Sequence, residues 1–283
     1  MKVQPECYPC LQNLTRQTLQ LCSAQDPALR ARNADLEKQL LAYLEKNFYR
    51  RVPAQLFTRI HEQIKASTGV RDAFSDRKHA EMAMAAAVAA PLYRRHGSLR
   101  RSLEFSVAGN SLDFFKPVAC SAAEIRQPIH LRIDHRRIFE KKLAAARRLL
   151  FFTDNAGECF FDIPLITWLR RRIKLTYIVK TFPVQNDLTL ADLRDSGIAR
   201  CFPEIMGTGN GAVGIEPATI SRTLRRALTD ADLVIAKGMG YYETFSERRR
   251  YHAKLFHLFM AKCLPVARSI SVPLNSYVFF HPG

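Results

Sequence analysis

The sequence lacks several features that would place it quickly. It has no apolar stretch long enough to span a bilayer: the longest run, around Met82 to Ala90, is short and stops at Pro91. The opening residues, Met1-Lys2-Val3-Gln4-Pro5-Glu6, carry none of the apolar core of a signal peptide. Cysteines number seven, an odd count scattered over 283 residues, which argues against a disulfide framework. These absences predict a reduced, cytoplasmic chain with no membrane partner. Acid is scarce as well: 26 Asp and Glu face 43 Lys and Arg, a formal net charge of +17. Such a chain attracts anions, whether phosphorylated metabolites, nucleic acid or an acidic membrane surface. The basic residues fall in short clusters such as Arg170-Arg171-Arg172 and Arg248-Arg249-Arg250, the pattern of solvated helix faces. No aromatic-rich RNA motif or zinc-finger spacing accompanies them, so nucleic acid is not expected as a partner.

What is present is enough apolar material, 47% of residues, to bury a sizeable core, and a length that suits two modest domains. No repeat, low-complexity tract or Gly/Ser-rich linker divides them, but the grammar changes near residue 148. Before it, apolar residues recur at three- and four-residue steps (Leu11, Leu14, Thr18 and Leu21, then Leu36, Leu40 and Leu44), which puts them on single helical faces. Glu81 to Ala90 reads as another helix, and strand-like alternation is scarce. After it, Leu149 to Thr153, Leu175 to Val179 and Asp232 to Ala236 are short apolar runs typical of buried parallel strands. Leu255 to Met260 and Tyr277 to Phe280 are two further strand candidates. Helices are expected between them, at Ile163 to Leu169, Leu188 to Asp195 and Thr219 to Leu228. The reading is α/β: a helical domain over residues 1–147 and, over residues 148–283, a mainly parallel sheet covered on both faces.

Three polar clusters follow strands directly: Asp154-Asn155, Asn186-Asp187 and Lys237-Gly238. In open α/β sheets, ligands bind outside the carboxyl ends of the strands, so the three converge on the edge where chemistry belongs. Asp154 and Asn155 alone would read as helix N-caps; three clusters on one edge point to a site. Two carboxylates and an amide oxygen form a hard ligand set that suits Mg²⁺ or Mn²⁺, with Co²⁺ or Ni²⁺ also able to fill it. A lysine beside it can hold a phosphate as a compact charge. Glu158 and Asp162 lie near the first strand and are candidates to support the ligands from behind, although a surface role is the default for each.

Other motifs carry less. Gly209-Asn210-Gly211-Ala212-Val213-Gly214 fits G-x-G-x-x-G but does not follow the first strand, and no acidic residue ends the next one. A loop whose backbone amides approach a phosphate, or an ordinary turn, suits it better. Cys7-x-x-Cys10 is half a metal site or a redox pair, with Cys22, His61 and His79 as possible additions that no spacing requires. A structural or packing role is the leading reading. No Ser or Cys nucleophile has a motif pairing it with a histidine.

Read together, the motifs resemble those of the DUF89 family, the damage-control phosphatases, and its microbial branch with an N-terminal C-x-x-C. Glu6-Cys7-Tyr8-Pro9-Cys10, Asp72-Ala73-Phe74 with Lys78, and Ala108-Gly109-Asn110-Ser111-Leu112-Asp113 match in the first half. Asp154-Asn155-Ala156-Gly157-Glu158, Asn186-Asp187-Leu188-Thr189, Gly207-Thr208-Gly209 and Ile235-Ala236-Lys237-Gly238-Met239-Gly240 match in the second. The resemblance implies a Rossmann-like three-layer domain beside the helical one. It implies a divalent metal on Asp154, Asn155 and Asp187, with Asp154, Glu158 and Lys237 as the catalytic groups. Lys237 and Gly238 would meet the substrate phosphate with Thr208 and Gly209, while Asn110 and Asp113 bring the helical domain to the cleft. Departures bear on substrate choice: Tyr241-Tyr242-Glu243 stands for N-Y-E, Ala73 for proline and Glu81 for an amide.

The expected activity is metal-dependent hydrolysis of phosphate monoesters of small metabolites, such as sugar phosphates or damaged phosphometabolites, with no protein partner. Direct attack by water and an aspartyl-phosphate on Asp154 both remain open. The alternatives are a carboxyl methyltransferase using S-adenosylmethionine, against which stands the missing glycine-rich turn after Thr153, and a basic, non-catalytic nucleic-acid binder.

Overall fold

The structure, a computed structural model, describes residues 1–95, 97–111 and 129–283, with the side chains of residues 94 and 95 left out. Asp113, Cys120 and part of the first-half motif therefore lie outside the described residues. Three helices open the chain: α1 (Cys7–Gln25), α2 (Arg30–Asn47) and α3 (Pro53–Thr68). Their spaced apolar residues meet in a core of their own, with Leu11, Leu14, Leu40, Leu44, Phe57 and Ile60 all buried. Pro53 starts α3, where its missing N–H is no loss, and Gly69 ends it in the left-handed conformation at φ 75°.

The next two helices belong to the sheet. α4 (Ser75–Ala89) and α5 (Leu99–Ala108) pack on α7 (Cys159–Leu169). Met82, Leu99, Leu103 and Val107 share one apolar cluster with Leu149, Phe151, Tyr177 and Ile235 of the strands. The helical half thus has two parts, and only the first has a separate core. Among the described residues, no helix is long and apolar enough to cross a membrane.

Seven strands form one sheet in the order β1-β7-β6-β5-β2-β3-β4: β1 (Leu131–Asp134), β2 (Arg148–Phe152), β3 (Lys174–Val179), β4 (Glu204–Gly207), β5 (Leu233–Lys237), β6 (Leu255–Met260) and β7 (Tyr277–Phe280). All neighbours run parallel except β6 and β7. Along β2, Leu149 and Phe151 enter one apolar cluster while Leu150 and Phe152 enter another on the opposite face. That alternation makes three layers, because each face must be covered. α7 and α6 (Arg136–Leu143) lie over the first face; α9 (Arg222–Asp230) and α10 (Met239–Phe245) cover the second. Each fully buried Leu or Phe contributes roughly 1.5–3 kcal/mol.

All five strands anticipated from the apolar runs are present, and two were missed. β1 lies within the stretch expected to be helical, and β4 has no counterpart among the expected elements. Both are four-residue edge strands with exposed positions, and their short patterns carry little hydrophobic signal. Since β1 pairs with β7, the sheet extends across the boundary expected at residue 147. Two further helices are short, α8 (Leu190–Asp195) and α11 (Leu264–Ser269). The first opens on a capping box in which Thr189 and Asp192 bond each other's backbone amides.

Candidate active site at the carboxyl edge of the sheet

From β2 the chain runs outward to β3 and then β4, and returns to place β5 on the other side of β2. The crevice between β2 and β5 is therefore the topological switch point, where open α/β sheets bind ligands. Asp154-Asn155 leaves β2 at one side of it, and Lys237-Gly238 leaves β5 at the other. Gly238 has φ 80°, and a Cβ there would lie 2.1 Å from Asp154 Oδ2, so only glycine lets the β5 loop come this close.

A buried polar network fills the crevice. Asn110, at the end of α5, donates through Nδ2 to Asp154 Oδ2 and to Glu158 Oε1, each at 2.8 Å. Its Oδ1 accepts the Met260 amide at 2.9 Å, which fastens α5 to β6 as well. Asn155 Nδ2 also donates to Glu158 Oε1, at 2.8 Å. Lys237 Nζ lies 2.7 Å from Glu158 Oε2 and 2.6 Å from Asp162 Oδ1, and donates to the Ser106 carbonyl at 3.1 Å. Asp162 accepts further bonds from Ser106 Oγ at 2.6 Å and Tyr177 Oη at 2.7 Å. The surface role taken as the default for Glu158 and Asp162 is thus overturned: they are 1% and 0% exposed.

Asp187 joins from the β3 loop. A backbone bridge pairs it with Asn155, and the Leu188 amide donates to the Asp154 carbonyl at 2.9 Å. Its carboxylate lies 3.5 Å from the ammonium of Lys180, a residue that carried no sequence motif. Lys180 also donates to the Gly214 carbonyl at 2.8 Å and to Tyr241 Oη at 2.9 Å. Tyr241, one of the departures from the family pattern, therefore serves as a partner for this buried cation. Asn186 turns the other way and donates to Glu81, which Arg77 neutralises at 2.9 Å.

The electrostatics follow from enclosure. Four carboxylates (Asp154, Glu158, Asp162 and Asp187) share the buried network with two ammonium groups, Lys180 and Lys237. Desolvation pushes Asp154 well above the ordinary carboxylate range, and the charges of Glu158 and Asp187 push it further. Desolvation raises Asp187 to about 6, although Lys180 opposes the rise. For Lys237 burial works against the charge, but Asp162 and Glu158 together outweigh it and raise the pKa.

Asp154, Asn155, Glu158, Lys237, Gly238 and Asn110 are thus brought into direct contact, and Asp187 is linked through backbone. Thr208 and Gly209 sit one strand farther out, at the end of β4. There the Thr208 hydroxyl donates to the Asn210 carbonyl at 2.9 Å, and the Gly209 amide donates to Thr181 Oγ1 at 2.6 Å. Lys237, expected on a substrate phosphate, already has three protein acceptors, so a phosphoryl oxygen would reach it only by replacing one. Among the described residues, no three His, Cys, Asp or Glu side chains stand ready-made as a metal cage. The expected set has two carboxylates and an amide.

A family model described as the damage-control phosphatase ARMT1-like domain matches residues 3–278. A damage-control phosphatase of Pyrococcus horikoshii is 31% identical, over 98% of this chain and 97% of that one. Another, from Archaeoglobus fulgidus, is 32% identical over 98% of each. The crystal structure of a DUF89 family protein from Pyrococcus horikoshii superposes with a TM-score of 0.87 at 28% identity, covering 100% of both chains. With one sheet edge carrying the motif residues in contact and the match running nearly end to end, the chain belongs to the damage-control phosphatase ARMT1-like (DUF89) family.

Proposed function

We propose that this protein is a metal-dependent phosphatase that hydrolyses phosphate monoesters of small metabolites, with its centre at Asp154, Asn155 and Asp187. The observation that carries the reading is the cluster of buried carboxylates at the switch point: among the described residues, Asp154, Glu158, Asp162 and Asp187 share one network with the buried ammonium groups of Lys180 and Lys237. Oxygen donors of this hardness suit Mg²⁺ or Mn²⁺, and a divalent cation would relieve the desolvation that lifts Asp154 and Asp187. Asp154, Asn155 and Asp187 would hold the ion. When bound, it would neutralise the charge developing on a phosphoryl group and lower the pKa of water.

The chain's own residues position that chemistry. Asn110 fixes Asp154 and Glu158 in one orientation through a single amide group. Lys237, held by Asp162, pairs with Glu158 and fixes its carboxylate beside Asn110 and Asn155. The damage-control names of the archaeal relatives support damaged or surplus phosphometabolites, sugar phosphates among them, as the substrate class.

The test is phosphate release from a panel of phosphometabolites with Mg²⁺, Mn²⁺, Co²⁺, Ni²⁺ or chelator, for wild type beside Asp154→Ala and Asp187→Ala. Metal-dependent release that falls at least 10³-fold in both variants is the expected result. Release that survives chelation, or survives both substitutions, would sink the reading.

A further inference from the structure

The sequence shows two cysteines, Cys7 and Cys10, with the spacing of half a metal site. The structure supplies a third. Cys7 is the first residue of α1, and Cys10 follows one turn later on the same helix. Cys263 is the N-cap of α11, in the turn that leaves β6. All three line one cavity of about 290 Å³, whose wall also holds the Met239 thioether and the carboxylate of Glu243. The partners considered from sequence lie elsewhere: Cys22 is buried beside Thr68, His61 is packed near the rings of Phe57 and Phe74, and His79 is exposed.

We propose that Cys7, Cys10 and Cys263 are the thiolate ligands of a second metal site, separate from the oxygen-lined crevice and suited to a thiophilic ion such as Zn²⁺. Soft thiolates select Zn²⁺ or Cu⁺ over Mg²⁺, and two ligands from one helical turn plus a distant third is a common way to assemble such a site. Backbone amides already address the sulfurs: the Gln4 N–H donates to Cys7 Sγ at 3.4 Å, and the Val266 amide bonds Cys263. Such bonds favour the thiolate. Glu243, whose carboxylate accepts the Ala54 amide at 2.9 Å, lines the same cavity and adds one oxygen donor to the three sulfurs, its carboxyl raised to about 7 by burial.

The competing role is a redox pair, and the environment disfavours it. A reactive cysteine has a lowered pKa, whereas burial raises Cys7 and pushes Cys263 up to about 12. A coordinated ion reverses that: each thiol loses its proton to solvent as its S–metal bond forms, with no change of oxidation state. Among the described residues the three sulfurs do not form a ready-made cage. They stand on the walls of the cavity, and the ion would draw the first turn of α1 onto the β6–α11 turn. The site would thereby fasten the chain's first helix to the catalytic edge of the sheet.

The experiment is a Cd²⁺ titration of the reduced, chelator-treated full chain, followed by ultraviolet thiolate-to-metal charge-transfer absorbance. Oxygen ligands at the crevice give no such band, so the readout is independent of phosphatase activity. One equivalent should saturate a band that Cys263→Ser and Cys10→Ser each reduce by at least a third, with at least tenfold weaker binding. Cys201→Ser should leave it intact. Cys10 is exposed, so Cys10→Ser should fold, and circular dichroism checks both variants. No band in wild type, a full band in either variant, or a disulfide among these three cysteines in protein purified without reductant would each overturn the proposal.

Discussion

The first three helices and the next two all precede the central strands in the chain, but they have different places in the molecule. α1–α3 close around their own apolar cluster. α5 instead packs on α7, its leucines enter the sheet's core, and the turn after it carries Asn110 into the buried polar network. Gly109 allows this approach, since a Cβ there would lie 3.1 Å from Phe161. What separates the two regions is which core receives the apolar face. A helix that shares the sheet's core can deliver a side chain to the sheet's edge with its position fixed.

That contrast can be broken experimentally. The largest effect should come from Leu44→Ala in α2, where a fully buried side chain leaves a cavity. A loss of about 2–5 kcal/mol in urea denaturation is expected, with kcat/KM per folded molecule unchanged. A matching fall in kcat/KM would show that the α1–α3 core does reach the site. Asn110→Ala should divide its effect differently. Stability falls by about 1–3 kcal/mol because the Met260 amide loses its acceptor. Phosphatase activity should fall about 10- to 100-fold because Asp154 and Glu158 lose their common anchor. Activity within twofold of wild type would demote Asn110 to a packing residue.

The smallest effect is a pH dependence at the sheet edge that α5 reaches. The folded-state pKa of Asp187, about 6, lies above its ordinary value of 3.8. Without metal, the folded state holds this proton more tightly than the unfolded one, so its contribution to stability is full below about pH 4 and is lost as pH rises through 6. Divalent metal requires the ionised form of each carboxylate ligand, so its apparent affinity should rise with pH through about 6, where Asp187 loses its proton. Calorimetric titration of Mn²⁺ between pH 5 and 8 measures this, and Asp187→Asn should make the slope shallower. A flat affinity in wild type would remove Asp187 from the ligand set.

The central strands could be read directly because β2, β3, β5 and β6 are buried on both faces, and such burial leaves continuous apolar runs. β1 and β4 could not, because an edge strand of four residues needs few apolar positions. The same division runs through the site. Asp154 and Asn155 closely follow β2, Lys237 ends β5 and Asp187 lies in the loop after β3, so sequence order alone implies a shared edge. Lys180 also follows a strand, but nothing local shows that its ammonium turns back toward Asp187. Asp162 lies inside an apolar helix, and its pairing with Lys237, 75 positions away, exists only in the folded chain.

By itself, the order of residues determined the α/β alternation, the edge at which the polar clusters gather and the hard-oxygen character of the candidate metal ligands. These depend on periodicity and on the side chain's own chemistry, which are local properties. The tertiary structure alone decided that Lys237 is a buried counter-ion, that Asn110 joins two carboxylates to β6, and that Cys263 shares a cavity with Cys7 and Cys10. Each of those depends on the distance between residues remote in the chain, and that distance is set by how the layers pack.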